Sequence, residues 1–228
     1  MTVVHYITLN MVIEWFGHAC FKVSTKPGPN AEVAVVFDPY DPKIGLKLPR
    51  ATADVVAITH DHHDHNNEAA VSGDHFLVNG PGEYEVKQIF LYGIPGWHDD
   101  KSGAERGSNT IYLLESEGLS VAHLGDLGQP ELTSEQLEHL EGVDILLIPV
   151  GGTYTLNAKQ AAAIVSQIEP RIIIPMHYQM DGLKLSKPLD GVDKFVHELG
   201  LKPETLDKLK ITKATLPQEE TKLVVLTF

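Results

Sequence analysis

Asp54-Val55-Val56-Ala57-Ile58-Thr59-His60-Asp61-His62-His63-Asp64-His65 is the stretch on which the reading of this chain turns. Its first half is mostly apolar and β-branched, the composition of a short buried strand. Its last six residues hold four histidines and two aspartates. A strand ending near Thr59 fixes the direction of His60. In extended chain, residues two apart point the same way, so His60 and His62 can reach one metal ion. The chain then turns, and Asp64 with His65 can face a second ion close by. Imidazole together with carboxylate suits zinc, iron or manganese. The plain alternative is a solvated His/Asp tract that collects metal adventitiously. Such a tract belongs in a tail, whereas this one lies between a strand and the helix-like segment Asn66–Val71.

Upstream of this stretch, Val12–Phe16 and Cys20–Val23 read as strands flanking Gly17, with a turn at Lys26–Asn30 and a further strand at Glu32–Phe37. Downstream, Glu83–Val86 and Ile89–Ile94 read as strands, and Asn109–Leu114 with Leu119–His123 as a hairpin about Glu117-Gly118. The second half alternates. Thr133–Glu141 is predicted helical, with Thr133 and Gln136 at capping-box spacing. Val143–Pro149 is a strand. Ala158–Glu169 is a helix capped by Asn157 and stopped by Pro170. Arg171–Pro175 is a strand, Asp190–Leu199 a helix closed by Gly200, and Lys222–Phe228 a last strand. Strands early and strand–helix alternation late predict an α/β (α+β) fold of two sheets with helices outside, a four-layer αββα sandwich. Residues 11–228 are read as one domain and residues 1–10 as an N-terminal extension to it.

Composition narrows the partners. The 228 residues carry 18 basic and 31 acidic side chains, a formal net charge of −13. That balance argues against nonspecific nucleic-acid binding, which needs clustered Lys and Arg, and against an anionic membrane surface. The single cysteine, Cys20, rules out a disulfide framework or a Cys-based zinc cluster. The apolar runs are short, and MTVVHYITLN has neither the basic region nor the long apolar core of a secretory signal. The expectation is a cytoplasmic protein with a small-molecule partner, with binding of a small anion at a local site and homo-oligomerisation both open.

His60-x-His62-x-Asp64-His65 after an apolar strand resembles the signature of the metallo-β-lactamase superfamily. Trp15–Phe21 (WFGHACF), Phe37-Asp38-Pro39, Gly80–Tyr84 (GPGEY), His123–Gly128 (HLGDLG), Pro149–Thr155 (PVGGTYT) and Ile174–Tyr178 (IPMHY) resemble one branch of it. That branch holds stand-alone metal-dependent hydrolases similar to ascorbate-phosphate lactonase and, more distantly, to the N-acyl-phosphatidylethanolamine phospholipase. The resemblance runs from Val12 to Phe228. It implies a metallo-β-lactamase-like sandwich holding two divalent metal ions, zinc in the first instance, with manganese or iron as alternatives. It implies His60, His62 and His98 as ligands of the first ion, with His123 competing with His98 for the third place. Asp64, His65 and His177 match ligands of the second ion, and Asp126 the carboxylate shared by both. Asp38 and His123 are expected to support ligands by hydrogen bonds. His63 points away from His62 in extended chain and is not expected to ligate.

The chemistry expected at such a centre is hydrolysis of an ester, lactone or phosphoester-type small molecule by a hydroxide bridging two ions. Asp64 would orient it and take its proton, and His177 would help stabilise the oxyanion. Tyr178 and His18 are candidate substrate contacts at the mouth, each with a packing alternative. Arg106, in the polar stretch Asp99–Ser108, is the candidate anchor for an anionic substrate group, unless it pairs with Glu105 or Asp99. The Gly and Ser content of that stretch permits movement. Gly151-Gly152-Thr153 could seat a phosphate on backbone N–H groups or be a tight strand–helix turn. Rival readings are a non-catalytic metal-dependent binding protein and a phosphodiesterase acting on a phospholipid-like or nucleotide substrate. A flavodiiron oxidoreductase is disfavoured because that branch carries Glu where His62 stands, and the nucleic-acid-processing branches because they insert a further domain.

Overall fold

Alternating burial builds the first sheet. Along the opening strand Met11, Ile13 and Trp15 are buried while Val12 and Glu14 are half-exposed, the period of two that a pleated strand imposes. The computed structural model describes residues 11–28 and 31–228. The expected N-terminal extension, residues 1–10, and the end of the predicted turn, Pro29-Asn30, lie outside the described residues. The chain runs through β1 (Met11–Trp15), β2 (Phe21–Gly28), β3 (Ala31–Phe37), β4 (Ala51–Thr52), β5 (Val55–Ala57), β6 (Val71–Ser72) and β7 (Phe76–Val78). Next come β8 (Gly82–Val86), β9 (Ile89–Trp97), β10 (Ser108–Ser116) and β11 (Leu119–His123). The alternating part follows as α1 (Ser134–Leu140), β12 (Ile145–Pro149), α2 (Ala158–Ile168), β13 (Ile172–Met176) and α3 (Val192–Leu199). Three short strands close the chain: β14 (Glu204–Leu206), β15 (Leu209–Ile211) and β16 (Lys222–Leu226).

Two mixed sheets result. One has the order β15-β1-β2-β3-β5-β7 and the other β14-β16-β13-β12-β11-β10-β9-β8, while β4 and β6 form a small ribbon. The sheets face each other across one core that includes Val35 and Phe37 from the first and Leu114, Leu147 and Ile174 from the second. Local signals account for much of this. Glu117 and Gly118 both adopt positive φ, the geometry of a tight hairpin turn, and join β10 to β11. Thr133 and Gln136 form the expected capping box on α1, and Asn157 does the same with Gln160 on α2. Helix α2 buries Ala161, Ile164, Val165 and Ile168, an i, i+3, i+4, i+7 stripe.

The architecture is an α/β sandwich, but its two outer layers differ. Among the described residues, the three α-helices all come from the second half of the chain. The outward side of the first sheet, with Val36 and Val56, is instead covered by Tyr40, Ile44, Leu46, Leu183 and Leu189 from loops and a one-turn 3-10 helix. The segment expected to be helix-like, Asn66–Val71, contains only a 3-10 turn at Glu68–Ala70. Strands β14 and β15 were not expected, because three residues are too few to carry a period. Among the described residues, no helix is long and apolar enough to cross a membrane.

The topology decides where chemistry can gather. Strands β3, β5 and β7 run parallel, as do β11, β12 and β13. The carboxyl ends of β3, β5, β9, β11 and β13 lead directly into Asp38, Thr59-His60, His98, Leu124–Asp126 and His177. Residues scattered over 140 positions therefore meet at one end of both sheets, the end at which parallel sheets present their loops.

Candidate metal centre

Asp126 lies at the middle of the cluster. Its carboxylate is 3.2 Å from Nε2 of His98, 3.2 Å from Nε2 of His177, 3.3 Å from Nε2 of His65 and 3.9 Å from Nε2 of His60. All five side chains are buried. The donor atoms of His60, His62 and His98 form one compact group, and those of His18, Asp64, His65 and His177 another. A third group, His60, His65 and Asp126, spans the gap between them.

The backbone builds this arrangement through close approaches. Asp126 N donates to Asn109 Oδ1 at 2.9 Å, and Asn109 Nδ2 donates to the Leu124 carbonyl at 2.9 Å, clamping the loop from both sides. A Cβ at Gly125 would stand 2.4 Å from Asn109 Oδ1 and 2.8 Å from Thr59 Oγ1, and φ there is +56°, so only glycine fits. A Cβ at Gly128 would stand 2.4 Å from the His98 carbonyl. The HLGDLG segment thus needs both glycines to bring Asp126 against the ends of β5 and β9.

A second layer of hydrogen bonds sets the ring tautomers. Asp38 is fully buried and accepts from Thr59 N at 2.8 Å, from Thr59 Oγ1 at 2.7 Å and from His65 Nδ1 at 2.9 Å. Because the Thr59 hydroxyl donates to Asp38, its oxygen accepts from His60 Nδ1 at 3.0 Å. Both imidazoles then carry their proton on Nδ1 and turn a bare Nε2 into the site, as metal-binding histidines do. His123 behaves differently. Gly125 N donates to its Nδ1 at 3.1 Å, its Nε2 reaches the Ala19 carbonyl at 2.8 Å, and its ring stacks on Phe37 at 5.0 Å. Both nitrogens are used, so His123 braces the Gly125 turn from the core.

Among the described residues, several atoms at the centre lack partners. Nε2 of His60, Nε2 of His65 and Oδ1 of Asp126 are buried without hydrogen-bond partners, a costly state unless a cation lies between them. Electrostatics agree. Burial opposes charge on His65, but the carboxylates of Asp126 and Asp38 outweigh it and raise its pKa well above the ordinary value. Burial likewise works against ionised Asp126, yet His177 and His65 hold it well below the usual carboxylate range. For Asp64 burial is outweighed by the hydrogen bond with His18 and the charge of His65, so its pKa falls. Burial, with the neighbouring His65, lowers His60 to about 2. The pocket calls for positive charge while keeping a ligating imidazole neutral. Neutral imidazoles and ionised carboxylates converging on a buried space fit a divalent metal ion.

A cavity of about 340 Å³ opens onto the cluster, with His62, Asp64, His98 and Asp126 at its floor and His63 at its rim. Arg106, Tyr154 and Lys184 form its walls. Among the described residues Arg106 is paired with no acid: its guanidinium lies 4.9 Å over the Tyr154 ring and donates to the Thr153 carbonyl at 3.4 Å. The expected partner Glu105 pairs with Lys101 instead. Nor is the Asp99–Ser108 stretch the loose segment its composition suggested. Asp99 accepts backbone N–H bonds from Lys101, Gly103, Glu105 and Arg106 at 2.7–3.0 Å. These bonds outweigh its burial and lower its pKa to about 2. The loop is wound on one carboxylate, which aims Arg106 at the cavity.

Tyr178 packs on Trp15 at 5.2 Å and is buried, which raises its pKa above the ordinary tyrosine value, so it lies in the core rather than at the mouth. His18 is also fully buried, against Asp64. Gly151 N donates to the His177 carbonyl and Gly152 N to the Leu156 carbonyl, so both glycine amides are engaged in closing a tight turn. Sequence reasoning missed three residues: Asn109, the relaying role of Thr59, and Lys184. Asn109 opens a strand and Lys184 lies in a loop, and no spacing ties either to the His/Asp cluster.

Comparison with known proteins matches this picture. A family profile described as a beta-lactamase superfamily domain matches residues 12–177. A UPF0173 protein of Pyrococcus abyssi is 31% identical over 189 residues, covering 74% of this chain and 83% of that protein. A UPF0173 metal-dependent hydrolase of Methanopyrus kandleri is 28% identical over 227 residues, covering 86% and 96%. The crystal structure of a candidate Zn-dependent hydrolase of the metallo-beta-lactamase superfamily from Thermotoga maritima superposes with a TM-score of 0.74 at 35% identity, covering 95% of this chain and 98% of that one.

Proposed function

Because this chain belongs to the beta-lactamase superfamily, we propose that it is a metal-dependent hydrolase of small anionic esters, lactones or phosphoesters. The observation that carries the reading is the Asp126 carboxylate ringed by four imidazole Nε2 atoms at 3.2–3.9 Å, with bare buried acceptors between them. His60, His62 and His98 would hold one divalent ion, Asp64, His65 and His177 a second, and Asp126 both. Zinc suits the imidazole-rich donor set, with manganese or iron as alternatives. When bound, such ions act as Lewis acids and bring the pKa of water to about 7.

The chain's own residues do the remainder. Asp64 reaches the cavity floor, where its ionised carboxylate can accept a hydrogen bond from the attacking water and orient it. His177 is buried with Nε2 facing Asp126, which suits holding metal better than touching an oxyanion. Arg106 and Lys184 place positive charge on the cavity walls of a chain with net charge −13, which favours a phosphate or carboxylate on the substrate. A volume of about 340 Å³ fits a small molecule. The test is metal analysis and a screen of lactones, esters and phosphodiesters, on wild type and Asp126→Ala. The variant should lose metal and all hydrolysis. Full metal content with unchanged activity would remove Asp126 from the centre and sink the reading.

A further inference from the structure

The chain contains its own standard for a histidine that merely packs. His123 is fully buried, stacks on Phe37 and uses both ring nitrogens in hydrogen bonds. His18 is equally buried but differs in each other respect. Its Nδ1 has no partner among the described residues, the condition shared by His98 and His177. Its Nε2 points into the cluster, 3.3 Å from Asp64 Oδ2. Its ring lies 4.2 Å from that of His177 and 5.1 Å from that of His65. The donor atoms of His18, Asp64, His65 and His177 all lie within 4.8 Å of one another. One cation with bonds of about 2.0–2.2 Å spans about 4 Å between opposite ligands, so small side-chain shifts bring all four onto it.

The backbone holds this ring in place at a cost. His18 has φ +54°, a left-handed conformation that a residue with a Cβ adopts rarely. Two hydrogen bonds pin it: Trp15 Nε1 and His177 N both donate to the His18 carbonyl, at 2.9 and 3.1 Å. The turn after β1 and the turn after β13 are therefore one unit, and moving either displaces both imidazoles.

We propose that His18 is a ligand of the second metal position, alongside Asp64, His65, His177 and the shared Asp126. This rests on the metal-centre reading above and adds to it. The two positions then differ: three imidazoles and Asp126 at the first, and three imidazoles with two carboxylates at the second. The second position has the higher coordination number. The competing role for His18 is an N–H donor that orients Asp64 without touching metal.

The experiment is titration of metal-freed full-length protein with cobalt(II), read by bound stoichiometry and by the visible ligand-field spectrum, for wild type, His18→Ala and His18→Gln. Glutamine keeps an N–H donor near the Nε2 position and removes the imidazole. In wild type, one equivalent should give the five-coordinate spectrum and the other the more intense four-coordinate one. Both variants should bind one equivalent as wild type does, weaken the other by about tenfold or more, and lose the five-coordinate bands. Wild-type affinity and spectrum in His18→Gln would make His18 an orienting donor and overturn the proposal. A measurement on unaltered protein guards against a variant that does not fold. In long-range ¹H–¹⁵N spectra, His18 Nε2 should move to the metal-bound region when zinc is added, and a nitrogen that stays protonated rejects the ligand role. Wild type that takes up no metal, or Asp126→Ala that takes up two equivalents normally, would instead fail the underlying metal-centre reading.

Discussion

Exchanging one oxygen of Asp38 for an NH₂ group, in Asp38→Asn, should disable both metal positions although Asp38 touches neither. The carboxylate accepts three hydrogen bonds, and its two oxygens divide them: Oδ1 takes Thr59 N, while Oδ2 takes Thr59 Oγ1 and His65 Nδ1. In the variant the backbone bond keeps the amide oxygen at Oδ1, so the NH₂ replaces Oδ2 and meets two donors. His65 relieves the conflict only by accepting at Nδ1, which moves its proton to Nε2. The Thr59 hydroxyl relieves it by accepting from the amide and turning its proton towards His60 Nδ1, 3.0 Å away, which moves the His60 proton to Nε2 as well. Both site-facing nitrogens are then blocked. Buried groups left unsatisfied cost about 1–3 kcal/mol each. With the hydroxyl free to rotate, a loss of about 2–4 kcal/mol is expected, a fall in Tm of about 5–15 °C for a chain of this size. Loss of such supporting bonds typically costs 10–100-fold in metal affinity. The assays are thermal unfolding of metal-free protein and metal competition against a chelator. Wild-type affinity at both positions, with or without a fall in Tm, would refute the tautomer relay.

Other expectations follow from single contacts. Gly125→Ala places a methyl within 2.4 Å of Asn109 Oδ1 at φ +56°, and should cost about 1–3 kcal/mol and lower metal content, measured by unfolding and elemental analysis. Arg106→Ala should raise KM about tenfold for phosphorylated or carboxylated substrates while leaving neutral lactones and metal content unchanged. An equal effect on both substrate types rejects the anchor role. The Asp99 loop should be acid-sensitive. The folded pKa, about 2, lies below the unfolded value near 3.8, so the stabilisation is complete above about pH 4 and is lost as pH falls towards 2. Amide exchange at Gly103, Glu105 and Arg106 should accelerate over that window, and Asp99→Ala should show the fast exchange already at neutral pH.

Local chemistry was legible wherever the deciding interaction lies close in sequence. The Thr133/Gln136 box, the Asn157 cap, the Glu117-Gly118 turn and the apolar strand before His60 each depend on neighbours within a few residues. The His/Asp run announced itself for the same reason, since six adjacent residues carry most of the candidate donors. What composition suggested about mobility failed at Asp99–Ser108. Gly and Ser leave a backbone free, but a single carboxylate accepting four N–H bonds removes that freedom. The helix-like reading of Asn66–Val71 failed because the chain there must turn back to seat the small ribbon and β7.

From the sequence alone came the donor types, their strand-end positions, the acidic balance of the chain and Arg106 as a candidate anchor. The tertiary structure alone decided which histidine does what. His18, His98, His123 and His177 each follow a strand or close one, and linear spacing treats them alike. Their roles separate only when β1, β9, β11 and β13 are brought side by side. His123 then finds the Ala19 carbonyl and the Gly125 amide, and the other three turn a ring nitrogen towards Asp64 or Asp126. The physical reason is that an imidazole's function is set by what each of its two nitrogens meets. Apart from the Gly125 amide, two residues from His123, those partners lie tens to more than a hundred residues away, beyond the reach of any pattern read along the chain.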